Sequence, residues 1–147
     1  MRANGRSGAY QATQVSTVSK SKLILLMYDG AIRFITEARR SVEKRDIAGR
    51  GVCIGKAQKI INELAGSLDH ERGGEVAKSL DNVYAEINKN LTEANINGDA
   101  SSLDGALAML RTIKEAWEQV INESDKKPGD ENGPEEPRRG PGLAVSC

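Results

Sequence analysis

The stretch that decides the fold is Leu23-Ile24-Leu25-Leu26-Met27-Tyr28-Asp29-Gly30-Ala31-Ile32-Arg33-Phe34. It is longer than a typical strand, contains no proline and is rich in leucine, methionine and alanine, which predicts a helix. At 3.6 residues per turn, an apolar stripe wide enough for a bundle core runs along one face. The residues of this first stripe are Leu23, Met27, Phe34 and Ala38, with Ile24 and Ala31 at its edge.

A second apolar stripe lies on the same predicted helix, rotated away from the first. It consists of Leu25 and Ile32, with Tyr28 and Ile35 at its edge. Because a helix in a small bundle needs only one buried stripe, the second has two interpretations: the helix is central in the bundle, or it offers a groove to a partner. Gly30 costs such a helix about 1 kcal/mol relative to alanine, which predicts a close approach of another helix backbone.

The bulk composition favours one intracellular helical domain. The chain has 147 residues, with 21 basic and 21 acidic side chains, and this balance argues against nucleic acid as a partner. Cys53 and Cys147 are the only cysteines and do not form a disulfide framework, so we expect a reduced, cytoplasmic compartment. The sequence shows neither a signal peptide nor the run of ~20 apolar residues that stable membrane insertion requires.

Three further helices follow the first, which Ser19 is predicted to cap. Asp46 is a candidate cap for the second helix, although its glycines predict fraying or a loop to about Gly51. The run 69–74 is predicted to be a loop, and either Asp99 or Ser101 is expected to cap the fourth helix. The predicted buried face of the third helix is Val76, Leu80, Val83, Tyr84, Ile87, Leu91 and Ala94.

These elements predict an all-α protein, an antiparallel up-down four-helix bundle. Its predicted parts are a mobile N-terminal arm at 1–18 (alternatively a short capping helix), the bundle at 19–121, and a disordered tail at 122–147. The tail composition is typical of disorder because four prolines and several glycines stand among its charges. Its only apolar cluster, Leu143-Ala144-Val145, is interpreted as a frayed end rather than as a docking element.

No catalytic or metal-binding constellation is found. The only histidine, His70, lies in the predicted charged loop, and the chain contains neither a Glu-x-x-His pair nor Cys-x-x-Cys. Gly73-Gly74 does not end in the Gly-Lys-Ser/Thr of a phosphate-binding loop. We therefore predict that the protein is not an enzyme and has no cofactor, and that its function is to bind another chain.

Several motifs in order along residues 10–121 resemble the flagellin-specific export chaperone family, FliS. They begin with Tyr10 in a polar arm and the run Leu23–Ile32. The others are Ala57-x-x-Ile60-Ile61-x-Glu63-Leu64 before Leu68-Asp69, Gly73-Gly74-Glu75-Val76-Ala77-x-x-Leu80-x-x-Val83-Tyr84, Leu91-x-x-Ala94-Asn95 with Asp99, and Trp117. Each motif alone is weakly specific, whereas the ordered set is quite specific.

The resemblance implies a cytoplasmic chaperone that binds the C-terminal segment of flagellin. It would prevent premature polymerisation and deliver the client to the flagellar type III export gate. By analogy, Tyr10 is a lid or client contact and Tyr28 a groove residue. Leu25 and Ile32 are added as groove candidates on the periodicity argument.

The chain departs from the family pattern at two places. Ser19-Lys20-Ser21 stands where family members often have a proline after the first cap, and the tail after Asn122 is longer than expected. The alternative function is a non-catalytic helical adaptor or self-associating bundle. The sequence leaves open which flagellin is the client, which regulators compete, the oligomeric state, the tail's role, and whether the arm covers the client site.

Overall fold

The computed structural model describes residues 19–126, and this part of the chain contains four helices and no strand. The helices are α1 (Lys20–Lys44), α2 (Ile47–Gly66), α3 (His70–Asn97) and α4 (Ala100–Lys126). Because the turns between them are only a few residues long, successive helices run antiparallel. The predicted all-α antiparallel four-helix bundle is confirmed. The arm at 1–18 and the tail beyond 126 lie outside the described residues, and α4 continues past residue 121, where the predicted bundle ends.

The four helices form a ring in chain order. Helix α1 packs against α2 and α4, and α3 packs against the same two neighbours. Helices α1 and α3 are therefore diagonal partners across the core. This arrangement leaves four grooves on the outside of the bundle, one between each pair of adjacent helices.

The predicted helix caps are present. The Ser19 side chain accepts a hydrogen bond from the Lys22 amide, and the Asp46 carboxylate accepts one from the Gly49 amide at 2.9 Å. Asp99 accepts one from the Ser101 amide at 2.9 Å. Gly98 ends α3 in the left-handed conformation, with φ 67°, which a glycine adopts without the steric cost of a Cβ.

Two stretches, one predicted as a frayed turn or loop and one as a loop, are helical instead. Helix α2 begins at Ile47 rather than near Gly51, because the Asp46 carboxylate folds over Gly49, where a Cβ would collide with it. Helix α3 begins at His70, inside the predicted loop 69–74, because Asp69 caps it by accepting from the Arg72 amide at 3.1 Å. The Gly-Gly pair still interrupts the helix, since Gly74 has φ 51° and ψ −122°.

The buried face of α1 lies between the two predicted stripes. Tyr28, Ala31, Ile35 and Ala38 are at most 1% exposed, whereas Leu23, assigned to the first stripe, is 42% exposed. The assignment of Leu23 to the core is wrong. A bundle helix contacts two neighbours, so its apolar arc is wide, and the two predicted stripes are the flanks of one arc.

Gly30 is buried, as a close helix contact predicts, but its neighbour differs from the prediction. A Cβ at Gly30 would stand 3.3 Å from Cδ1 of Ile60 on α2. The approaching group is therefore a side chain rather than a helix backbone.

Candidate functional site

The groove between α1 and α4 contains two of the predicted binding residues. Leu25 and Ile32 stand seven residues apart on the α4-facing flank of α1, and both are half-buried against the core. Ile32 also lines a surface depression of about 270 Å³ together with charged side chains of both helices. We call this surface the α1/α4 groove, formed by Leu25, Asp29 and Ile32 of α1 with Arg111, Lys114, Glu115 and Glu118 of α4.

An ion pair bridges the middle of the α1/α4 groove. Lys114 Nζ lies 2.8 Å from Asp29 Oδ1 on the opposite helix and 3.8 Å from Glu118 Oε2 on its own. The hydrogen bond with Asp29 raises the pKa of the Lys114 ammonium. Because both partners are partly exposed, such a bridge contributes only about 0–1 kcal/mol, and a binding segment could displace it at small cost.

Two other contacts fix the spacing of α1 and α4. The Arg39 guanidinium donates to both carboxylate oxygens of Asp104, at 2.6 and 3.2 Å, which lowers the pKa of that carboxyl group. Near the other end of α1, the Trp117 indole nitrogen donates to the Ser21 carbonyl at 2.9 Å. These bridges span most of the length of α1, so the groove has defined walls.

Tyr28 lies in the core, on the inner side of the α1/α4 groove. It is 1% exposed, and its hydroxyl is 2.7 Å from the hydroxyl of Tyr84 on the diagonal helix α3. Burial raises the pKa of Tyr28 well above its usual value and that of Tyr84 to about 12, so both hydroxyls are neutral near neutral pH. Tyr28 therefore supports the floor of the groove and presents no surface to a partner in this conformation. Tyr10 lies outside the described residues.

The sequence patterns missed a second apolar groove, between α3 and α4. Val76 was assigned to the buried face of α3, but it is 54% exposed, and this assignment is wrong. Val76, Leu80 and Val83 line a depression of about 320 Å³ with Glu75 and Ser79. The signal in the sequence is the spacing of Val76, Val83 and Asn90, because a seven-residue repeat marks one edge of a helix.

Asn90 shows that this edge of α3 faces α4. Its amide nitrogen lies 2.8 Å from the place where a Cβ on Gly105 would stand. In an antiparallel pair, Val76 then lies opposite Val120, which is 37% exposed, and Val83 lies near Ile113. We call this surface the α3/α4 groove: Val76, Leu80 and Val83 of α3 line its depression, and the antiparallel register places Met109, Ile113 and Val120 on the facing edge of α4.

The two grooves are the candidate binding surfaces of the described residues. Within 19–126, no group of three or more His, Cys, Asp and Glu side chains is placed to hold a metal ion. None of the four helices is long and apolar enough to cross a membrane. Apolar grooves with charged rims are surfaces into which an amphipathic helix or an extended apolar segment can dock.

Comparison with known proteins gives concordant matches. The family model described as Flagellar protein FliS matches residues 2–124. The Flagellar secretion chaperone FliSB of Pseudomonas aeruginosa is 39% identical over 107 residues, covering 73% of this chain and 85% of the relative. The Flagellar secretion chaperone FliS of Salmonella typhimurium is 36% identical over 107 residues, covering 72% and 79%.

A solved structure described as a flagellar chaperone from bacteria has the same fold. It superposes with a TM-score of 0.68 at 14% sequence identity, covering 80% of this chain and 98% of that one. At this identity the likeness shows the fold alone, and it agrees with the four-helix bundle described above.

Proposed function

This chain belongs to the flagellar protein FliS family, a family of non-catalytic flagellar secretion chaperones, and we propose that it binds the C-terminal segment of flagellin in the cytoplasm. Binding would prevent premature polymerisation, and the complex would deliver the client to the flagellar type III export gate. The observation that carries the proposal is the α1/α4 groove, in which Leu25 and Ile32 lie half-exposed on either side of the Asp29–Lys114 ion pair.

The chemistry of the groove suits an amphipathic client. Leu25 and Ile32 are one heptad apart on one flank, which is the spacing at which a docked helix places its own apolar residues. The Asp29–Lys114 bridge between them supplies one acidic and one basic group at the rim. A client segment with apolar residues facing inward and charges at its edges would be complementary.

The proposed mechanism requires no bond to be made or broken. A segment that orders only on assembly exposes an apolar stripe beforehand, and covering that stripe removes the nucleus for polymerisation. Ordering the segment costs part of the interaction energy, so the affinity is moderate. A moderate affinity suits a client that must be released at the export gate.

The test is calorimetric titration of the full chain with the C-terminal segment of flagellin from the same cell. We expect saturable one-to-one binding that is lost in Ile32→Glu, because a carboxylate would replace the apolar side chain that Ile32 supplies to the groove. The matched control is Ile96→Glu, since Ile96 is 74% exposed near the α3–α4 turn and lies on neither wall. Retained affinity in folded Ile32→Glu protein would contradict the proposed site, and unfolding of that variant would make Ile32 a core residue.

One observation favours the alternative of a self-associating bundle. Leu23 and Leu26 on the first turns of α1 are 42% and 63% exposed, and they would be covered if two copies met there. Sedimentation equilibrium at tens of micromolar separates the two functions. A monomer that binds flagellin supports the chaperone function, and a dimer that does not bind flagellin supports self-association.

A further inference from the structure

The α3/α4 groove leaves apolar surface uncovered at one end of the bundle. Val76 and Val120 are 54% and 37% exposed, and Leu80, Val83 and Ile113 are half-buried below them. Two exposed valines above half-buried apolar side chains form a surface on which an apolar segment can dock. The end at which it opens is also the end at which the described chain leaves the bundle, because α4 ends at Lys126, ~9 Å of helix beyond Val120.

Two acidic side chains stand near the open end of the α3/α4 groove. Glu75 lines the depression on α3, and Glu123 is exposed on the matching edge of α4, seven residues after Ala116 and fourteen after Met109. The side chains that line the depression include no lysine or arginine. An occupant with positive charge near the open end and apolar residues deeper in would therefore be complementary.

The chain beyond Lys126 contains such a segment. Arg138-Arg139 precedes Leu143-Ala144-Val145, and Pro and Gly residues separate the two. In extended chain, Arg139 and Leu143 are ~13 Å apart, at 3.3 Å per residue. The rise along α3 from Glu75 to Val83 is ~12 Å. The distance between the charged and the apolar residue is therefore about the same in the tail segment as on α3.

The connection is long enough to reach. Leu143 is the seventeenth residue after Lys126, and a flexible chain of that length has an r.m.s. span of about 23 Å. Val83 lies opposite residue 112 of α4, so its level is ~21 Å from the end of the helix. A span that matches the linker's r.m.s. length gives an effective concentration near its maximum, roughly millimolar, at which even a weak contact is populated.

We propose that the C-terminal segment of this chain docks on its own bundle, with Leu143-Ala144-Val145 in the α3/α4 groove and Arg138-Arg139 against Glu75 and Glu123. The docked segment shields the exposed valines of the groove. The contact is intramolecular and involves no client. Its test is therefore independent of whether the proposed function is correct.

The tail carries its own labelling site for the test, because Cys147 is two residues beyond Val145. A nitroxide is attached to Cys147 of the 147-residue chain, in which the other cysteine is removed by Cys53→Ala. Paramagnetic broadening of amide signals is then measured. We expect strong broadening at Val76, Leu80 and Val83 and none at Ile47 and Ile96, which lie at the opposite end of the bundle.

A matched pair of tail variants separates docking from proximity alone. Leu143→Asp should reduce the broadening at the groove several-fold, whereas Asn132→Asp adds the same charge outside the apolar triplet and should leave it unchanged. Equal broadening in both variants, or none in the parent protein, would overturn the proposal.

Mixing labelled chains with isotope-enriched Cys147→Ser chains tests whether the groove is occupied by the tail of a second copy. Broadening that appears only between molecules would assign the groove to a second copy and also overturn it.

Discussion

At the scale of single residues, the most consequential contact is the one between two buried hydroxyls. Tyr28 and Tyr84 approach from diagonal helices, and their oxygens are 2.7 Å apart. Both side chains are at most 2% exposed, so each hydroxyl depends on the other for its hydrogen bond. The pair therefore fixes how α1 and α3 are placed across the core.

We predict strong coupling between Tyr28 and Tyr84 in a double-mutant cycle. Tyr84→Phe alone should lower the free energy of unfolding by about 1–3 kcal/mol, because the Tyr28 hydroxyl is left buried without a partner. The double variant Tyr28→Phe/Tyr84→Phe should lose less than the sum of the two single changes, since both polar groups are gone. Urea unfolding of the four proteins measures this, and additive losses would contradict the coupling.

At the scale of the helix, α3 shows how one glycine shapes an element. The chain enters α3 at His70 through the Asp69 cap, and the helix is interrupted at Gly74, with φ 51° and ψ −122°. An L-residue at positive φ is strained, so this break depends on glycine. The regular helix that follows begins with Glu75 and Val76, which line the open end of the α3/α4 groove.

A pair of glycine substitutions tests whether the break in α3 requires glycine at position 74. Gly74→Ala should lower the free energy of unfolding by roughly 1–2 kcal/mol, because the new Cβ is held at positive φ. Gly55→Ala is the control within a regular helix: a Cβ there meets nothing within 4 Å, so we expect a gain of about 0.4–1 kcal/mol. Thermal and urea denaturation report both changes. Equal effects of the two substitutions would show that the break at Gly74 does not require glycine.

At the scale of the whole molecule, the ring of helices is closed by the contact of α1 with α4. The only tryptophan of the chain, Trp117, is 8% exposed, and its indole donates to the Ser21 carbonyl at 2.9 Å. Arg39 and Asp104 bridge the same two helices near the other end of α1. The first and last helices are therefore tied together although they are the farthest apart in the sequence.

We predict that the bundle unfolds as one cooperative unit, with Trp117 as its reporter. Opening of the α1–α4 contact exposes the indole, and it should coincide with loss of helix because all four helices share one core. Tryptophan emission and far-UV circular dichroism, followed in the same urea titration, should give the same midpoint. An earlier midpoint for emission would mean that the end of the bundle at Ser21 opens first.

The positions of helices and their ends follow largely from local patterns. Ser19, Asp46 and Asp99 could be identified as caps because a cap is a contact between residues two or three positions apart. The beginnings of α2 and α3 were predicted less well, since glycine counts against a helix by propensity. The cap at Asp46 and its fit over Gly49 outweighed that preference.

The sequence by itself determined that this chain is an all-α bundle with a wide apolar arc on its first helix. The spacing of apolar residues in the sequence determines which of them share one face of a helix, because the 3.6-residue repeat is a property of the backbone. Only the tertiary structure decided which part of that arc is core. Tyr28 is buried because it meets Tyr84, fifty-six positions away, whereas Leu25 and Ile32 remain half-exposed where α4 flanks them. Exposure depends on which neighbours arrive on each side of a helix, and those neighbours are distant in the sequence.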